Sequence, residues 1–151
     1  MTAQPNGFPD NFRLPGNRLD MLQVLTKFQD FMHEQYSRQD RDFLERNARL
    51  VFLAYLKPII NGSGYDFKEV QVSEEKRLDV VVTYYEHKYV VELKIWGGDA
   101  THKKGLKQLT DYLGRLQLTE GYLLILDHSA TKSWKKGWVR TGGKRVYAVW
   151  V

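Results

Sequence analysis

At 151 residues, with 42% hydrophobic and 13% aromatic side chains, the chain fits one folded domain rather than a disordered tail, and its lack of cysteine excludes disulfides and thiolate metal sites. No apolar run reaches the roughly 18 residues of a membrane span, and the N-terminus lacks the basic and apolar regions of a secretory signal, so a cytoplasmic location is expected. The net charge of +5 is uneven, −2 over residues 1–99 and +7 over residues 100–151, which suggests a polyanionic partner, with a merely solvated basic face as the competing explanation.

Residues 1–17 hold three of the four prolines among polar residues and read as a flexible arm or linker, leaving 18–151 as a single domain. From Arg18 to about Ser37, Leu19, Leu22, Leu25, Phe28 and Met32 recur at helical spacing. A second helix is expected after Ser37, running towards Pro58. It is apolar all round from Leu50 to Leu56, the mark of a buried helix. Glu45 lies on a line with Arg49, Phe52 and Leu56, where an i,i+4 pair with Arg49 would account for it. Asn61-Gly62-Ser63-Gly64 ends the segment, and Tyr65 to Val72 alternates loosely as a first strand.

Arg77 to Trp96 reads as a β-hairpin rich in Val, Tyr and Ile, turning around Glu86-His87. Glu92 and Lys94 share one face of the second strand. A two-residue turn at Glu86-His87 would set Asp79 opposite Lys94 and Val81 opposite Glu92, gathering Asp79, Glu92 and Lys94 on one patch. Two carboxylates and an amine suit a Mg²⁺ site, in which the lysine orients a water or stabilises charge developing on phosphorus. A solvated face with a cross-strand acid–lysine pair fits the same pattern.

Gly97-Gly98-Asp99 makes a loop, and a third helix is expected from about Ala100 to Gln117, burying Leu106, Leu109, Leu113 and Leu116. Gln108 and Tyr112 lie four apart on a neighbouring face. Gly121 to Asp127 is a nearly continuous apolar run, fitting an interior strand. The last 25 residues form a further hairpin with Gly142-Gly143 at its turn. Two groups of bases offer phosphate contacts: Lys103, Lys104 and Lys107 with His102 on the third helix, and Lys132, Lys135, Lys136, Arg140, Lys144 and Arg145 around Trp134 and Trp138. The tryptophans fit equally well packed on the sheet, with the bases only solubilising it.

The order αβββαβ, with L-D on the second strand, E-L-K on the third and Q-x-x-x-Y on the next helix, resembles the PD-(D/E)XK nuclease superfamily. The segment from about Phe43 to Asp127 is similar to the nuclease-type domain at the C-terminus of certain predicted bacterial AAA-type ATPases, through L-K-P-I-I-N-G, R-L-D-V-V-V-T-Y, V-V-E-L-K-I-W, G-L-K-Q-L-T-D-Y-L and G-Y-L-L-I-L-D. The resemblance implies an α/β fold: a restriction-endonuclease-like αβββαβ core, its mixed sheet flanked by helices, with an added N-terminal helix and C-terminal hairpin. It further implies that Asp79, Glu92 and the Leu93 carbonyl hold Mg²⁺ or Mn²⁺, that Glu45 assists, with Glu69 on the first strand as its rival, that Lys94 positions the attacking water, and that Gln108 and Tyr112 orient the site or contact nucleic acid. Leu78 stands where the family often has proline, and no ATPase accompanies the segment. The implied activity is metal-dependent hydrolysis of nucleic acid, DNA foremost, with an ATPase module or a second copy of the chain as possible partners. A catalytically inactive nucleic-acid-binding or docking module is the alternative. A sugar- or nucleotide-hydrolysing enzyme is a third reading, which leaves Lys94 and the basic C-terminal third unexplained.

Overall fold

The computed structural model describes residues 12–36, 41–60, 68–71 and 77–151, with the side chains of 68–71 and 77–79 outside the description. The elements in chain order are β1 (Arg13–Leu14), β2 (Arg18–Leu19), α1 (Met21–Tyr36), α2 (Arg41–Arg46), α3 (Ala48–Ile60), β3 (Lys68–Gln71), β4 (Arg77–Tyr84), β5 (His87–Ile95), α4 (Asp99–Arg115), β6 (Glu120–Leu126), β7 (Lys136–Thr141) and β8 (Lys144–Trp150). The chain is mixed α/β and divides into two compact units, residues 1–67 with 82–88 and residues 68–81 with 89–151. None of the described helices is long and apolar enough to cross a membrane.

In the first unit, α1 starts at Met21, three residues later than sequence spacing places it, because Arg18–Leu19 pairs as β2 and Asp20 accepts a hydrogen bond from the Gln23 N–H at 3.1 Å, capping an otherwise unpaired donor. Its buried stripe is Met21, Val24, Leu25, Phe28 and Met32. Phe28 packs edge-on against Phe52 of α3, with ring centroids 5.1 Å apart, and lies 5.3 Å from Tyr55. Fully burying side chains of this size stabilises by about 1.5–3 kcal/mol each. The end of the expected arm joins the fold: Phe12 is buried, β1 pairs with β2, and the Asp20 N–H donates to the Phe12 carbonyl at 2.7 Å. Residues 1–11 lie outside the described residues.

The single helix expected from 38 to 58 is two helices broken at Asn47. The Asn47 side chain donates to the Phe43 carbonyl at 2.9 Å, the same acceptor its own backbone N–H uses at 3.0 Å, a local competition that bends helices. Nor is the apolar stretch buried all round. Phe52, Leu56 and Ile59 are sealed, whereas Leu50 is 58% exposed and Phe43 57%. One face of α3 meets α1; apolar composition alone does not supply a partner for the other.

The six-stranded sheet runs β3-β4-β5-β6-β8-β7. β3 is antiparallel to β4, β5 and β6 are parallel, β6 and β8 are parallel, and β7 returns antiparallel along β8. Parallel pairing of β5 with β6 requires a crossover, and α4 supplies it. That explains the near-continuous apolar runs V-V-E-L-K-I and G-Y-L-L-I-L, since strands inside a parallel sheet are covered on both faces. One face of the sheet carries Val90, Leu123, Ile125, Val146 and Ala148 against Leu106, Leu109 and Leu113 of α4. A Cβ on Gly121 would approach Leu113 Cδ1 to 2.7 Å, so the bare backbone of β6 sets how closely α4 seats. Gly142 and Gly143, at φ 56° and 77°, form the expected two-residue turn.

The β4–β5 turn sits one residue earlier than expected, at Tyr85-Glu86, with Tyr85 at φ 56°. A left-handed tyrosine costs about 1–2 kcal/mol. Arg13 lies 5.6 Å from its ring centroid, Tyr84 packs edge-on at 5.0 Å, and the neighbouring His87 ring bonds the Gly16 carbonyl at 3.0 Å. Contacts within the first unit thus select the turn. With Tyr85 inside the turn, the expected pairing of Tyr85 with Lys88 does not form; the Asp79 side chain, on which the expected Asp79–Glu92–Lys94 patch rests, lies outside the described residues.

Candidate functional site

β5 presents Glu92 and Lys94 on the face covered by α4, since their register partners on β6 are Leu123 and Ile125 of the α4-side core. Glu92 is fully buried and Lys94 is 8% exposed. The solvated-face explanation therefore fails for these two residues. Burying a carboxylate and an ammonium costs several kcal/mol unless other groups compensate, and neither residue is without an interaction partner.

Room for the lysine comes from Gly105. A Cβ at that position would lie 2.4 Å from Lys94 Nζ and 2.8 Å from its Cδ and Cε, so the lysine crosses α4 directly over the glycine backbone. A mid-helix glycine costs about 1 kcal/mol relative to alanine; here it accommodates a charged side chain between sheet and helix. The sequence carried a signal for it, a glycine between Lys104 and Leu106 in the Lys- and Leu-rich run of α4, on which helical periodicity is silent.

Gln108 is half-buried on α4, one turn beyond the glycine that Lys94 crosses. Tyr112, a further turn along, is partly buried against the Leu109–Leu113 core with Arg115 5.3 Å from its ring centroid. His102, one turn before Gly105, was expected only as part of a basic surface. It instead sits in an aromatic box, 5.3 Å from Trp96 and 5.7 Å from Trp150, whose rings are 4.6 Å apart. Burial first, then the Lys94 ammonium, lower its pKa below 6.5 against an opposing pull from Asp99. Both effects favour the neutral imidazole, whose Nδ1 is buried without a hydrogen-bond partner among the described residues.

Glu45 belongs to the first unit, where it accepts a hydrogen bond from the Tyr36 hydroxyl and pairs with Arg41 at 3.5 Å. Burial and the Glu45 carboxylate together push the Tyr36 phenol up. Glu69, the rival acid on β3, pairs with Val80 while Val70 pairs with Asp79, so Glu69 stands at the opposite register parity from Asp79.

The expected bases separate. Lys103, Lys104 and Lys107 are exposed on α4, with Lys107 3.3 Å from Asp111. Lys135 lies 4.3 Å from the Trp150 ring and contributes to lowering the His102 pKa, so it belongs to the Lys94 side of the sheet. Lys132 donates to the Asp127 carbonyl and stacks on Trp134 at 5.5 Å. Lys136 and Arg140 pair with Val149 and Arg145 on β8, on the face away from α4.

For a divalent cation the test is the donor set. Among the described residues no group of three or more His, Asp or Glu side chains gathers as a metal site. The buried Glu92 carboxylate and the adjacent Leu93 carbonyl are hard oxygens of the kind Mg²⁺ takes when waters complete its shell. The residue types are those such an ion takes; the expected third donor, the Asp79 side chain, lies outside the described residues. No protein-family model, no curated protein and no solved structure matches the chain.

Proposed function

We propose that this chain is a metal-dependent phosphodiesterase acting on nucleic acid, DNA foremost, on a restriction-endonuclease-like αβββαβ core. The observation that carries the reading is the burial of Glu92 and Lys94, two apart on one face of β5, beneath α4. Asp79 and Glu92 would hold Mg²⁺ or Mn²⁺, with the Leu93 carbonyl as a further donor. A bound divalent ion supplies Lewis-acid polarisation and a more acidic water.

The chain's own residues do the rest. Lys94 brings a fixed positive charge into a low-dielectric site, where it stabilises negative charge building on the phosphoryl oxygens more strongly than it would in water. Gly105 fixes where that ammonium sits. Gln108, one turn on, is placed to orient a phosphate or water. Lys103, Lys104 and Lys107 add exposed cations on α4, and Lys135 adds one on the Lys94 side, for the flanking phosphates. In the reaction, a water oxygen bonds to phosphorus as the bond to the leaving sugar oxygen breaks; the proton passes to that oxygen or to solvent.

The test is cleavage of plasmid, linear and single-stranded DNA and of RNA with Mg²⁺ or Mn²⁺. The parent should cut, and Asp79→Asn, Glu92→Gln and Lys94→Met should each abolish cutting while remaining folded. Inactivity of the parent, together with calorimetry showing no Asp79-dependent metal binding, would identify a binding or docking module instead. Undiminished cleavage in any of the three variants would remove that residue from the site.

A further inference from the structure

Residues 128–151 contain six Lys or Arg and no Asp or Glu. On β7, Lys136, Trp138 and Arg140 all stand exposed, alternating with partly covered Gly137, Val139 and Thr141. Trp138 pairs with Tyr147, and Tyr147 with Tyr122, so an aromatic row crosses three strands. Trp138 and Tyr147 have ring centroids 5.2 Å apart; Tyr122 lies 6.4 Å from Trp138. The Arg145 guanidinium stands 4.2 Å from the Trp138 ring centroid and is itself held by Glu120 of β6. Tyr122 and Tyr147 are buried, yet Trp138 stays 39% exposed.

Two physical points follow. A tryptophan fixed by a guanidinium and a second ring has already lost its side-chain freedom, so a ligand that stacks on it need not repay that entropy. The exposed charge beside it is of one sign: Arg140 and Lys136 flank Trp138, and the acid in this neighbourhood, Glu120, is engaged by Arg145. A planar aromatic platform ringed by cations fits an unpaired base with a phosphate on either side. A duplex keeps its bases stacked inside and cannot use the ring.

We propose that this face of the C-terminal hairpin binds single-stranded nucleic acid, a base stacking on Trp138 while Lys136 and Arg140 contact the neighbouring phosphates. It lies on the sheet face opposite Glu92 and Lys94 and shares no residue with that site. It is therefore a second nucleic-acid contact, independent of whether the first site cuts.

The experiment is fluorescence anisotropy of a labelled oligothymidylate and of a duplex, with EDTA present so that no metal-dependent step contributes. The parent should bind the single strand and prefer it to the duplex. Trp138→Ala should weaken single-strand binding by about 10-fold or more, the effect of losing one base–aromatic stack, whereas Trp138→Phe should recover most of it. Arg140→Gln and Lys136→Gln should each reduce the salt dependence by about 0.7 in log–log slope. Parental affinity in a folded Trp138→Ala, no preference for the single strand, or equal binding of polyglutamate would each overturn the assignment.

Discussion

Replacing Gly105 by alanine adds one methyl group to α4 at the point where Lys94 crosses it. The new Cβ would lie 2.4 Å from Lys94 Nζ and 2.8 Å from Cε and Cδ, against an ordinary van der Waals approach of 3.4 Å or more. The ammonium must therefore move by about 1 Å, and in a buried site it cannot do so without disturbing its neighbours. Helix propensity favours alanine by about 1 kcal/mol, while overpacking costs about 1–3 kcal/mol, leaving a net loss of about 1 kcal/mol. Gly114 is the control: it lies in the same helix with nothing within 4 Å of its would-be Cβ, so Gly114→Ala should be neutral or stabilising by up to about 1 kcal/mol. Urea denaturation of the two variants should separate them by about 1–2 kcal/mol. If Lys94 acts at phosphorus, misplacing it by about 1 Å should lower the cleavage rate about 100-fold, with Gly114→Ala unaffected. A Gly105→Ala protein as stable as Gly114→Ala and as active as the parent would refute the geometry from which both effects are derived.

Two further perturbations test the helical and aromatic packing. Leu50→Ala should change stability by no more than about 0.5 kcal/mol because Leu50 is 58% exposed, whereas Phe52→Ala, two residues on and fully buried, should cost about 3–5 kcal/mol; equal losses would mean that both faces of α3 are covered. Because burial and the Lys94 charge hold the His102 pKa below the ordinary histidine value of 6.5, the unfolded chain takes up its proton before the folded chain does. That contribution to stability is full above pH 6.5 and is lost as pH falls through the lowered folded value, so His102→Phe should flatten the decline of the urea midpoint between about pH 7.5 and 5. Parallel pH profiles for parent and variant would refute it.

Much of the arrangement is legible along the chain. Alternation and apolar runs mark β5, β6 and β8, the Gly142-Gly143 pair marks its turn, and the leucine spacing of α4 marks its buried face, because these signals are local and repeat with the period of the element. Parity along β5 is equally local, so Glu92 and Lys94 share a face whatever the rest of the sheet does. Other features depend on partners far away in sequence. The β4–β5 turn moved to Tyr85 because Arg13 and Gly16, some seventy residues earlier, hold it there. The helix through Glu45 broke at Asn47, and Glu45 turned to Tyr36 and Arg41.

Sequence alone determined that a carboxylate and a lysine would stand two apart on one side of an apolar strand, since side-chain alternation is a property of the strand itself. Only the tertiary structure decided that this side is the one α4 covers, and that Gly105 leaves the space Lys94 fills. It also decided that Lys136 and Arg140 lie on the opposite face of the sheet from Lys94. Burial and facing are set by which elements pack together, and no local period encodes that.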